Sequence, residues 1–106
     1  MKVFKLSDMT RGWFVGDFAP AALRTPAAEV AVQTYRAGTL EPRHVHNVAP
    51  EVTLILRGEA RMNGTRYGEG DIVLIEPGEA TEFEALTDVT TVVVKVPSVP
   101  GDKYPC

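Results

Sequence analysis

The sequence of 106 residues contains only two histidines, His44 and His46, one residue apart. On a β-strand, residues two apart face the same side about 7 Å from each other at Cα, so both imidazoles can converge on one point. Asn47-Val48-Ala49-Pro50 supplies turn formers, and Glu51 then opens the strongest strand-like run, Val52-Thr53-Leu54-Ile55-Leu56. Two neutral imidazoles and a carboxylate suit one divalent transition metal (iron, manganese, nickel or zinc) and leave positions open for water or substrate. The same side chains also do acid–base chemistry without a metal, and two core histidines satisfied by hydrogen bonds are the plainest alternative. For Glu51 the plain alternative is a buried carboxylate paired with Arg57 or another cation.

The elements that must hold these residues are short. From residue 29 to 96 the chain reads as β-branched runs punctuated every few residues by Gly, Pro or Asn, the pattern of an all-β sandwich or barrel. Strands are expected at residues 3–6, 13–18, 30–36, 43–46, 51–56, 59–62, 65–67, 72–75, 81–85 and 89–96. Asn63-Gly64 predicts a two-residue hairpin, because both central positions of that turn need positive φ. Ala19-Pro20-Ala21-Ala22-Leu23 is the one stretch with enough helix formers for a single turn. The prolines of residues 97–106 lack the donors a central strand needs, which predicts a tail running over the surface.

Gly38-x5-His44-x-His46-x4-Glu51-x6-Gly58 matches the first signature motif of the cupin superfamily without a gap, and the chain resembles a small single-domain cupin. The resemblance implies a jelly-roll β-barrel and a second motif of the form Gly-x5-Pro-x-Gly-x2-His. That second motif is only partly kept between Gly70 and Thr81: Glu76 stands where proline is usual, and Thr81 where the last metal-binding histidine would be. A threonine hydroxyl is a poor transition-metal ligand but a good partner for water or a substrate oxygen, so weakened metal binding is expected. By alternation Thr81, Phe83 and Ala85 face inward, while Glu82 and Glu84 face out. The resemblance covers residues 30–96. Residues 1–29 are read as an arm with one or two strands, packed on the barrel or on a dimer partner, and 97–106 as a Pro-rich tail.

Composition narrows the function. Eleven Lys and Arg against fourteen Asp and Glu give a net charge of −3, unlike a chain that binds nucleic acid by neutralising phosphates. The acidic side chains crowd residues 67–106 (Glu69, Asp71, Glu76, Glu79, Glu82, Glu84, Asp88 and Asp102), which reads as a solvated face. No apolar run approaches a membrane span, the N-terminus lacks the apolar core of a signal peptide, and the one cysteine, Cys106, cannot form an internal disulfide; a cytoplasmic protein is expected. Val52, Leu54 and Leu56 put an apolar face outside the barrel, which predicts a homodimer unless another sheet covers it.

The expected site is therefore His44, His46 and Glu51 as metal ligands and catalytic groups. Thr81, Tyr35, Arg57 and Phe83 are the expected substrate contacts, with Gln33 and Met62 on bordering strands and Arg43 and Arg61 as further anion readers. The function this implies is a small cupin that acts, through one divalent metal, on a small oxygenated molecule such as a sugar, sugar acid or keto acid. Its alternatives are a metal-independent sugar or nucleotide-sugar isomerase or epimerase and a non-catalytic carbohydrate-binding module.

Overall fold

The computed structural model describes residues 1–106. Eleven strands form two sheets: β1 (Trp13–Gly16), β2 (Leu23–Arg24), β3 (Glu29–Tyr35), β4 (Leu40–Val45), β5 (Glu51–Arg57), β6 (Ala60–Met62), β7 (Thr65–Tyr67), β8 (Ile72–Ile75), β9 (Thr81–Ala85), β10 (Val89–Lys95) and β11 (Tyr104–Pro105). One sheet runs β2-β1-β3-β10-β5-β8 and the other β11-β4-β9-β6-β7. All pairings are antiparallel except that of β1 with β2. This is the expected all-β jelly-roll.

Alternation along the central strands builds an interior with two characters. At one end Ile55, Ala60, Met62, Ile75, Phe83, Ala85 and Val89 form an apolar cluster. Toward the other end the inward positions become polar. Across β3, β10 and β5 the register sets Gln33, Thr91 and Ile55 side by side, then Ala31, Val93 and Thr53, then Glu29, Lys95 and Glu51. β10 lies between two partners, so its β-branched run from Val89 to Val94 is no exposed edge.

Local chemistry fixes the turns. Asn63 and Gly64 both adopt positive φ, as expected, and join β6 to β7 with Met62 opposite Thr65. The Asn63 amide also donates to the Ala80 carbonyl and accepts from the Glu82 N–H, tying the hairpin to β9. Gly58 closes the turn after β5 at φ 86°, where an added Cβ would stand 2.1 Å from the Asp88 carbonyl oxygen.

Four expectations are corrected. Residues 3–6 form no strand; Val3 and Phe4 are exposed and Leu6–Asp8 make a 3-10 turn, held by the local bonds Asp8 N–H to Lys5 and Met9 N–H to Leu6. The helical turn at residues 19–23 is absent, because the Ala22 N–H donates to Phe14 and Leu23 enters β2, where strand pairing outweighs weak helix propensity. The tail does not merely cross the surface: Tyr104–Pro105 pairs with β4, and Ser98 and Asp102 are buried. Asp102 thereby leaves the solvated acidic set, whose other members are exposed or half-buried.

No second sheet covers the outer face of β5 and β8. Val52, Leu56, Ile72 and Leu74 are exposed there. No helix is long and apolar enough to cross a membrane.

Gly58→Ala combines a disfavoured backbone with a clash against main chain, and is expected to cost about 2 kcal/mol or more of unfolding free energy. Urea denaturation checks this; a loss within experimental error would contradict the described turn.

Candidate functional site

The polar end of the barrel opens into a cavity of about 320 Å³, lined by side chains from both sheets, the segment before β1 and the tail. That volume is at the lower end of the range for small-molecule sites.

His44 ends the inward face of β4, opposite Thr81 on β9. His46 follows just past the strand, and the two rings lie 5.1 Å apart at 81°. Both are buried. The orientation of each ring is set by a backbone carbonyl: Nδ1 of His44 faces the Pro42 carbonyl at 3.0 Å, and Nδ1 of His46 faces that of Asp102. A carbonyl only accepts, so each neutral ring carries its proton on Nδ1 and keeps a lone pair on Nε2. The Nε2 atom of His46 is buried, has no hydrogen-bond partner and stands 3.6 Å from Glu51 Oε1.

Glu51 also accepts from the Thr53 hydroxyl at 3.1 Å, and its Oε1 is 3.9 Å from the Lys95 ammonium. The other expected lining residues Tyr35, Thr81 and Phe83 reach the same cavity, as do Gln33 and Met62. Tyr35 stacks on Phe83 with ring centroids 4.7 Å apart. Its hydroxyl lies 2.8 Å from Gln33 Oε1 and 3.1 Å from Glu41 Oε1. One hydrogen can serve only one of these acceptors at a time. Burial first, and then the charge and hydrogen bond of Glu41, push the phenol far above its usual range, so Tyr35 stays a donor.

Arg57 is corrected. By sequence parity it should face inward with Glu51, Thr53 and Ile55, but the pairing of β5 with β10 slips between Thr90 and Thr91, which sets Arg57 opposite Thr90 on the outer face and at the apolar end. Its side chain is exposed and does not line the cavity. Arg43 and Arg61 are exposed as well, and Arg61 pairs with Glu84 at 3.0 Å. The cations that do line the cavity are Arg11, Lys95 and Lys103. None of them belongs to a motif. The register of β10 with β3 and β5 places Lys95, a long-range pairing that no local pattern announces.

Solved structures with this architecture carry the same barrel. A double-stranded β-helix protein of Klebsiella pneumoniae superimposes with a TM-score of 0.71 at 22% identity, covering 94% of this chain and 88% of that one. KdgF from a Halomonas species gives 0.65 at 17% identity over 72% and 74% of the two chains. The DMSP lyase DddQ of Ruegeria pomeroyi gives 0.73 at 21% identity over 88% of this chain, which spans 49% of that enzyme. An RmlC-like cupin of Desulfovibrio desulfuricans gives 0.64 at 21% identity over 71% and 76% of the two chains. The chain has the cupin fold. No protein-family model and no curated protein matches the sequence.

Within this cupin barrel, the two bare Nε2 atoms are suitable metal donors. The complete set is not assembled, because no three His, Cys, Asp or Glu side chains converge as ligands of one ion. Glu51 Oε1 lies 3.6 Å from His46 Nε2 but is shared with the Lys95 ammonium at 3.9 Å, and Thr81 offers no strong fourth ligand. As arranged, the residues do not fit a resident divalent ion.

Sequence reasoning also missed Asp102. Its carboxylate accepts from the N–H groups of Asn47 at 2.8 Å, Val48 at 3.1 Å and Ala49 at 3.0 Å. Burial pushes this carboxyl up, but the three N–H donors and nearby His46 outweigh it and hold it below the usual carboxylate range. A depressed folded-state value means stability that is present above the unfolded value of about 3.9 and lost as pH falls through the folded one. Asp102→Ala is expected to cost about 2 kcal/mol, since it removes the charged acceptor of one buried and two half-buried N–H groups. Asp102→Asn should flatten the fall in melting temperature below about pH 4. An acid limb as steep as that of the parent protein would refute the carboxylate's role.

Proposed function

We propose that the chain is an enzyme of small oxygenated molecules that moves a proton on carbon next to a carbonyl, in a sugar, sugar acid or keto acid. The observation that carries this is the buried Nε2 of His46, an atom without a hydrogen-bond partner on a ring that lines the cavity, beside a carboxylate. The Asp102 carbonyl holds the proton on Nδ1, so Nε2 is the atom that can accept one. Glu51 then stabilises the imidazolium that forms. The paired acceptors of Gln33 and Glu41 around Tyr35, together with the hydroxyl of Thr81, suit the hydroxyls of a polyol. DddQ, a lyase, supports the reading only in that a barrel of this shape carries an enzyme.

A second reading keeps a divalent metal at His44, His46 and Glu51. It is favoured by the carbonyl anchoring of both Nδ1 atoms, which is how metal-binding imidazoles are commonly oriented. It requires an ion between His46 Nε2 and Glu51 Oε1 to sit beside the Lys95 ammonium.

Deuterium exchange into uronates, keto acids and aldoses, followed by NMR in D2O with and without chelator, separates the two. The proposal expects exchange that survives chelator and falls about 100-fold or more in His46→Ala. Exchange abolished by chelator would favour the metal reading, and binding without exchange would leave a carbohydrate-binding module.

The uncovered apolar face of β5 and β8 supports a homodimer. Light scattering should give twice the chain mass at micromolar concentration, and a monomer there would sink this part of the proposal.

A further inference from the structure

We propose that Lys95 is the resident cation of this cavity, holding Glu51 in the role that a divalent ion would otherwise take. The assignment deepens the acid–base reading of the same site and rests on it for the chemistry.

The register is the first observation. Lys95 stands opposite Glu29 on one side and opposite Glu51 on the other, so three charged residues share one row across β3, β10 and β5. Glu29 is buried and its Oε2 accepts from the Ser98 hydroxyl at 2.9 Å. Lys95 is therefore the positive member of a row with two carboxylates, and its side chain is only 12% exposed. A buried charge persists where opposite charge compensates it.

The second observation is that one oxygen is shared. Glu51 Oε1 lies 3.6 Å from His46 Nε2 and 3.9 Å from the Lys95 ammonium. A metal takes imidazole nitrogen and carboxylate oxygen at about 2.0–2.2 Å, so an ion bound to both atoms would sit within a few ångströms of the ammonium. Like charges that close repel strongly in a sheltered site.

The third is that the ammonium is held in place. It lies over the Trp13 ring, 5.2 Å from the centroid, and β10 is paired on both edges. Thr81, facing His44, adds no ligand that would offset the repulsion. The ammonium lies at ion-pair rather than hydrogen-bond distance from Glu51, which leaves N–H donors for a substrate oxygen beside His46. Charge growing on a carbonyl oxygen as His46 removes a proton would be met there.

Zinc titration calorimetry on untagged protein at one pH tests the assignment without any substrate. Lys95→Met should bind one equivalent of Zn2+ at least about tenfold more tightly than the parent protein. Lys95→Gln should move the same way, which keeps the test open where the methionine variant does not fold. Lys95→Arg, which restores a cation, should bind as weakly as the parent, and adding Glu51→Gln to Lys95→Met should cancel the gain. Equal affinity in the parent and the neutral variants, or an arginine variant as tight as methionine, overturns the assignment. Failure of the deuterium-exchange test strikes the proton-transfer reading and leaves the zinc result standing; the reverse failure strikes Lys95 alone.

Discussion

The candidate site hangs on Asp102. One carboxylate accepts hydrogen bonds from three consecutive N–H groups of the turn between β4 and β5, and the carbonyl of the same residue accepts one from His46 Nδ1–H. Those N–H groups belong to the turn that separates His46 from Glu51, so the bond pattern sets the distance between imidazole and carboxylate as well as the tautomer of His46. A loop of this kind has no ladder to pair with, and its donors would otherwise be left to water. The anchor is a charged acceptor from a segment more than fifty residues away in sequence, which makes the end of the chain part of the site.

The barrel tolerates so many polar groups because its two ends are built differently. The apolar cluster around Ile55, Phe83 and Val89 supplies the driving force for closure, while the rows above it carry Gln33, Thr91, Thr53, Glu29, Lys95 and Glu51 inward. Burial of that second set is compensated by pairing: Glu29 with Ser98, Tyr35 with Gln33 and Glu41, Glu51 with Thr53 and Lys95. Two polar atoms escape this compensation, His46 Nε2 and Thr91 Oγ1. Unmet hydrogen-bonding capacity in an otherwise satisfied interior marks where a ligand gains most.

What the sequence disclosed was local. The spacing of His44, His46 and Glu51 and the Asn63-Gly64 turn depend on residues close together in the chain, and the structure brings the three site residues into one cavity. Alternation on β9 placed Thr81 and Phe83 inward correctly. The same rule failed for Arg57, because a register slip between Thr90 and Thr91 breaks the alternation and sets it opposite Thr90 on the outer face. Lys95 and Asp102 were invisible for a different reason. Their partners lie across three strands or at the far end of the chain, and each looked like an ordinary charged residue in a polar or apolar run. The helix propensity of residues 19–23 lost to strand pairing with β1.

Thr81 and Lys95 belong to one electrostatic arrangement. With a histidine opposite His44, the donor set could outcompete an ammonium for Glu51 by adding a further neutral ligand to an ion. With threonine there, the balance shifts toward the cation already tethered to the barrel. A tethered ammonium is always present, holds a single charge and donates hydrogen bonds, whereas it cannot bind oxygen or exchange electrons. Such a site is suited to proton transfer beside a carbonyl, where one imidazole removes the proton and one fixed positive charge steadies the oxygen. The departure from the second motif and the ion pair on the opposite wall thus point to the same chemistry.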